Sequence, residues 1–120
     1  MPCTFKYDPE NECLMMTIEG VVDLNTIENF AKEVIPELQA RDCKKVFNDL
    51  RKINLKLSTT DIYYLPQILM KMGLDPLCKR AILVDEHFDD VAFFQLASTN
   101  IGQNVKVFKN PDDAMNWLNS

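Results

Sequence analysis

Five acidic residues stand where two predicted strands end, a place where α/β proteins commonly bind ligands. One lies at the end of the strand at 44–50 and four follow the strand at 80–84: Asp49, and then Asp85, Glu86, Asp89 and Asp90. Carboxylate oxygens gathered at one sheet edge could hold Mg²⁺ or Ca²⁺. Helix starts also favour acidic residues because of the helix dipole. We expect that simpler role here and predict no metal site.

Few other residues suggest catalysis. His87 is the single histidine, and its acidic neighbours could raise its pKa, but we expect an exposed residue in the first turn of a helix. The sequence has no Ser-His-Asp arrangement with a nucleophile elbow, and its 3 glycines are too far apart to form a phosphate loop. We predict no catalytic residue, no cofactor and no enzymatic activity.

The cysteines also lack the spacing of a functional cluster. There are 4 of them, with no C-x-x-C pair: Cys3, Cys13, Cys43 and Cys78. A disulfide framework suits a short secreted chain, and a zinc site needs ligands spaced for a tetrahedron. We therefore predict free thiols that are buried or half-buried.

Length and charge limit the classes of protein further. The 120 residues suit one domain, residues 1–120, and the net charge of −5 argues against nucleic acid as a partner. Three basic doublets, Lys44-Lys45, Arg51-Lys52 and Lys79-Arg80, are predicted to lie on the solvated surface. No apolar stretch has the length of a signal peptide or of a membrane span, so we predict a cytoplasmic protein without integral membrane association.

The elements that must position these residues alternate between strands and helices. Hydrophobic periodicity predicts strands at 3–7, 13–19, 44–50, 80–84 and 105–108, and helices at 24–40, 59–73, 88–99 and from 111 onward. Gly20 is expected to end the second strand, and Pro36 to bend or shorten the first helix. The order ββαβαβαβα predicts an α/β fold with an N-terminal hairpin, a mixed, mostly parallel sheet and flanking helices.

Four aromatic residues on two predicted helices have more than one explanation. They are Tyr63 and Tyr64 on the helix at 59–73, and Phe93 and Phe94 on the helix at 88–99. The expected core face of the second helix contains Phe88, Val91, Ala92 and Leu96, so Phe93 points away from it. The four residues could form a broad core stripe, a homodimer interface, a partner groove or a pocket for an apolar ligand.

Several segments resemble the STAS domains, the family of anti-sigma factor antagonists. They are the strand Val-Phe-Asn-Asp-Leu at 46–50, the following residues 51–57, the helix start Ser-Thr-Thr at 58–60, the strand at 79–84, and the ending 105–108 with Asp-Ala-Met-Asn-Trp-Leu at 113–118. The resemblance covers nearly the whole chain and is to the SpoIIAA-like branch, which is related to the CRAL-TRIO lipid-transfer folds.

The resemblance implies a regulatory phosphorylation site at Ser58. In the antagonists, a serine at this helix start is phosphorylated within an Asp-Ser-Ser/Thr-Gly pattern, and the phosphate blocks partner binding. Here Leu57 replaces the Asp and Thr60 replaces the Gly. A phosphate at a helix N-terminus would still meet aligned backbone donors. The simpler role for Ser58 is that of an N-cap.

Two functions follow as expectations. The first is a non-enzymatic, STAS-like interaction or regulatory domain that binds a protein partner or forms a homodimer through the helices at 59–73 and 88–99. The second is a carrier or sensor of a lipid or another apolar small ligand, which the relation to lipid-transfer folds and the aromatic residues suggest.

Overall fold

A computed structural model describes residues 3–120 and contains one five-stranded sheet with four helices. The strands are β1 (Cys3–Asp8), β2 (Cys13–Val22), β3 (Lys45–Leu55), β4 (Lys79–Leu83) and β5 (Asn104–Phe108). The helices are α1 (Leu24–Arg41), α2 (Thr59–Lys71), α3 (Phe88–Asn100) and α4 (Pro111–Leu118). The observed order is ββαβαβαβα, as predicted.

The sheet follows the order of the sequence, β1-β2-β3-β4-β5. β1 and β2 form an antiparallel hairpin, and the other neighbouring strands are parallel. Asp8 shapes the hairpin turn, because its carboxylate accepts hydrogen bonds from the backbone of Glu10 at 3.0 Å and from the side chain of Asn11 at 2.8 Å. The mixed, mostly parallel sheet is therefore confirmed.

The prediction that Gly20 ends the second strand is wrong. β2 continues to Val22 in register with β3, which itself runs to Leu55, beyond the predicted end at residue 50. Gly20 has a φ of 80°, a conformation that glycine adopts without steric cost. Between Thr17 and Glu19 the register shifts, so that two residues of β3 face one of β2, a β-bulge.

Pro36 does not end α1 early, which was one of the two predicted effects of this proline. The helix continues to Arg41 with Pro36 on its exposed side. Buried residues on both sides of the proline, Val34, Ile35 and Leu38, keep the helix against the core. Their burial offsets the backbone hydrogen bond that proline cannot make.

The two faces of the sheet carry separate apolar clusters. On one face, side chains of β2, β3 and β4 pack beneath α1, α2 and α3. On the other face, Cys13, Phe47, Ala81 and Leu83 pack against α4. β4 lies between these layers, and Ala81, Ile82 and Leu83 are all buried, as predicted for a strand that is covered on both faces.

The core face of α3 differs from the predicted one. Leu96 is 55% exposed, whereas Val91, Ala97 and Ser98 are buried. Apolar residues occur on every side of this helix, so spacing alone does not select the side that packs. α3 packs against α2 on one flank and against β5 on the other, and these contacts determine which side of α3 is covered.

Candidate functional site

The five acidic residues at the ends of the two strands do not come together as a metal site. Arg51 donates to both carboxylate oxygens of Asp49, at 3.1 and 2.9 Å, and this pairing lowers the pKa of Asp49. The pair lies in a polar hollow that Asp85 also lines. Within residues 3–120, no three potential metal ligands come together. Asp89 and Asp90 occupy the first turn of α3, where the helix dipole favours negative charge.

His87 is the N-cap residue of α3 rather than an exposed residue of its first turn. It is half-buried in a left-handed conformation with a φ of 59° and makes no capping hydrogen bond through its side chain. Its Nδ1 lies 3.9 Å from Oδ2 of Asp90. This geometry suits a weak ion pair when the imidazole is protonated.

Ser58 caps α2 as predicted. Its hydroxyl accepts a hydrogen bond from the backbone N–H of Asp61 at 3.0 Å, and the Asp61 carboxylate accepts one from the backbone N–H of Ser58 at 3.4 Å. The two bonds form a capping box. Ser58 is exposed, so its hydroxyl combines a local structural role with access from solvent.

The four singled-out aromatic residues do not form one group. Tyr63 and Tyr64 are each 50% exposed and contact each other edge to face, with ring centroids 5.0 Å apart. Phe93 is half-buried on α3. Phe94 lines an internal cavity and packs against the apolar clusters beneath the helices.

The cavity differs from the apolar pocket that the sequence suggested, because Phe94 lines it and the other three aromatic residues do not. It has a volume of about 160 Å³ and lies between the sheet and helices α1, α2 and α3. Its lining is almost entirely apolar and includes Phe30, Ala31, Val34, Leu65, Leu69 and Phe94. No local sequence pattern predicts such a space, because it results from the packing of three helices against a twisted sheet.

Among residues 3–120, Arg80 is the one basic side chain in the cavity lining. It is only 8% exposed, so the prediction that the Lys79-Arg80 doublet lies on the solvated surface is wrong. β4 is covered on both faces, and alternate residues of a strand point to opposite faces. Lys79, on the other face, is half-buried and donates to the backbone carbonyl of Trp117 at 2.7 Å.

Burial dominates the electrostatics of Arg80. It lowers the pKa of the guanidinium to about 10. Nη2 donates a hydrogen bond to Oε1 of Gln103, and Nε2 of Gln103 in turn donates to the Pro66 carbonyl at 2.8 Å. In the described part of the chain, no carboxylate lies within ion-pair distance of Arg80.

The cysteines are free, as predicted. Cys13, Cys43 and Cys78 are buried, and Cys3 is half-buried. Burial raises the pKa of Cys13 to about 11 and that of Cys78 to about 12. These two thiols therefore stay protonated at neutral pH and are poor nucleophiles.

No helix formed by residues 3–120 combines the length and the apolar character needed to span a membrane. No protein-family model and no curated protein sequence matches the chain.

Solved structures nevertheless match it over nearly its full length. An anti-sigma factor antagonist from Mycobacterium paratuberculosis has a TM-score of 0.65 at 13% identity, and the match covers 98% of this chain and 95% of that one. A protein of uncharacterised function with a SpoIIAA-like fold, from Shewanella loihica, has a TM-score of 0.64 at 17% identity, with coverages of 97% and 91%. The chain therefore has the SpoIIAA-like fold, in agreement with the order of its elements and with its mixed sheet.

Proposed function

We propose that the chain is a regulatory interaction domain without catalytic activity, which binds a second copy of itself through α2 and α3. The proposal rests on the positions of the large exposed apolar side chains. Four of them belong to α2, to α3 or to the residue that ends α3: Tyr63, Tyr64, Leu96 and Ile101. We call these four residues the α2–α3 surface. Exposed apolar side chains on adjacent elements are typical of interaction sites.

The distribution of charge favours a second copy as the partner. α2 carries one acid at its start and one lysine at its end, and the charges of α3 are confined to its first turn. The middle of both helices is therefore uncharged, although the whole chain has a net charge of −5. Two copies that meet there keep most of their like charges apart.

The comparison with known structures supports a regulatory role. The anti-sigma factor antagonist of the same fold is, by its name, a protein that acts on another protein. A cytoplasmic location belongs to the same proposal, because all four cysteines remain free thiols, as is usual in a reducing compartment.

Removing the exposed aromatic pair is expected to weaken self-association. The wild-type chain should show the molar mass of a dimer in light scattering at micromolar concentrations. The double variant Tyr63→Ser/Tyr64→Ser should raise the dimer dissociation constant by at least about tenfold, because exposed tyrosines are common hot spots. The control is Leu77→Ser, which removes a side chain that is 77% exposed and lies outside both helices. A wild-type monomer at all concentrations, or equal losses in both variants, would contradict the proposal.

Charge at Ser58 is expected to regulate this association. A phosphate there would add about two negative charges at the start of α2 in each copy, and the copies would then repel each other. Ser58→Asp should weaken the dimer relative to Ser58→Ala, measured by light scattering. Ser58→Ala should instead lower the free energy of unfolding by about 1 kcal/mol, because it loses the cap. Identical dimer constants for the two variants would rule out regulation at this residue.

The cavity favours a second candidate function, the binding of a small apolar ligand. Its volume of about 160 Å³ is close to that of an apolar protein cavity that binds benzene. A ligand that binds only the folded chain raises its stability in proportion to the logarithm of its concentration. Benzene or hexanol should therefore raise the melting temperature progressively, and an unchanged melting temperature would argue against this function.

A further inference from the structure

We propose that the cavity beneath α1, α2 and α3 binds a small amphipathic carboxylate, such as hexanoate or benzoate, with its carboxylate on the guanidinium of Arg80. This inference rests on the second candidate function and specifies the chemistry of its ligand. The observation that points to it is a buried positive charge at the wall of an otherwise apolar space.

Within the described residues, 3–120, no carboxylate pairs with the charge of Arg80. A guanidinium has five N–H donors, and the hydrogen bond that Arg80 makes within residues 3–120 goes to the neutral side chain of Gln103. Buried charges normally have a charged partner, because moving an ion out of water is costly. An anion in the cavity would supply both the missing charge and the missing acceptors.

The guanidinium is held in place before any ligand arrives. Arg80 lies on β4 between Val46 of β3 and Val105 of β5 in the sheet register. Gln103 is itself fixed by its 2.8 Å hydrogen bond to the Pro66 carbonyl of α2. The Phe94 ring lies 5.8 Å from the guanidinium carbon, a cation–π distance. A preorganised donor loses little entropy on binding.

The charges around the cavity favour a ligand with one negative charge over a ligand with two. A guanidinium matches a carboxylate through two parallel hydrogen bonds. Arg80 is the one cation in the lining, so a dianionic phosphate would keep an unpaired charge. Asp90, the acid in the lining, is exposed and lies 3.9 Å from His87, and it would further repel a dianion.

The volume limits the size of the apolar part. A cavity of about 160 Å³ accommodates a group about as large as benzene, whereas pockets for drug-sized ligands measure roughly 300–1,000 Å³. We therefore expect a short acyl chain or a single aromatic ring. The full acyl chain of a membrane lipid would require the helices to move apart.

The test compares hexanoate with hexanol, which has the same chain length and no charge, by titration calorimetry on the full chain. The wild type should bind hexanoate about tenfold to hundredfold more tightly than hexanol, as expected for a hydrogen bond to a buried charge. Arg80→Met should bind the two ligands equally, with the affinity for hexanol unchanged. Arg80→Lys keeps a positive charge and should retain part of the preference. The control Arg51→Met removes an exposed arginine from the polar hollow and should behave as the wild type.

The outcomes separate this inference from the function on which it rests. If the wild type binds hexanol as tightly as hexanoate, or if Arg80→Met keeps the preference, the cavity is a ligand site without an anion site and the inference is wrong. If neither compound binds the wild type, both the inference and the second candidate function fail. Loss of the preference in Arg51→Met would place the carboxylate in the polar hollow instead.

Discussion

Replacement of Ala31 by leucine is expected to raise the free energy of unfolding by about 2 kcal/mol, because about three carbon atoms are added to an existing apolar space. Ala31 is buried on α1 and lines the cavity of about 160 Å³. We expect the larger side chain to fit into this space without displacing its neighbours. It should also remove the stabilisation by benzene or hexanol, because it occupies their space.

Ala114 provides the matched control. It is fully buried on α4, in the cluster on the other face of the sheet, and it does not line the cavity. Ala114→Leu should lower the free energy of unfolding by about 1–3 kcal/mol, because added carbon atoms at a fully buried position away from the cavity overpack the core. Urea unfolding of both variants, followed by the fluorescence of Trp117, measures the difference. If Ala31→Leu is as destabilised as Ala114→Leu, the cavity is not available space in the folded chain.

The order of elements could be predicted because each one has local signals. Ser58 and Asn110 each precede a helix, and their side-chain oxygens accept hydrogen bonds from the first-turn backbone, as expected from capping preferences. The apolar run of β4 indicated a strand that is covered on both faces. These signals act over a few residues and do not depend on the rest of the fold.

The cavity and its arginine could not be predicted, because they depend on distant elements. Arg80 follows Lys79, and the pair resembles two other basic doublets. Only the sheet register and the helices above it determine that one side chain of this pair is buried and the other faces α4. Of the four aromatic residues named as candidates for an interface or an apolar pocket, Phe94 lines the cavity, whereas the packed side of α3 depended on α2 and β5.

The hydrogen bond between Arg80 and Gln103 leads to the largest expected loss of stability. Gln103→Leu should lower the free energy of unfolding by about 3 kcal/mol, because it leaves the buried guanidinium without its acceptor. It also removes the donor to the Pro66 carbonyl. Arg80→Met should have a much smaller effect, because the gain from removing a buried charge offsets the lost hydrogen bond of Gln103.

The double variant Arg80→Met/Gln103→Leu should be more stable than the wild type by about 1–4 kcal/mol, as found when buried charged groups are replaced by apolar ones of similar size. The four proteins form a double-mutant cycle that is measured by urea unfolding without ligand. Such a gain would mean that Arg80 lowers the stability of the wild type. Binding sites often reduce stability, so this result is expected if the charge of Arg80 serves ligand binding. Hexanoate should then stabilise the wild type more than the double variant, which keeps only the apolar part of the affinity. A double variant less stable than Gln103→Leu alone would show that Arg80 is a structural residue, whose charge the fold requires.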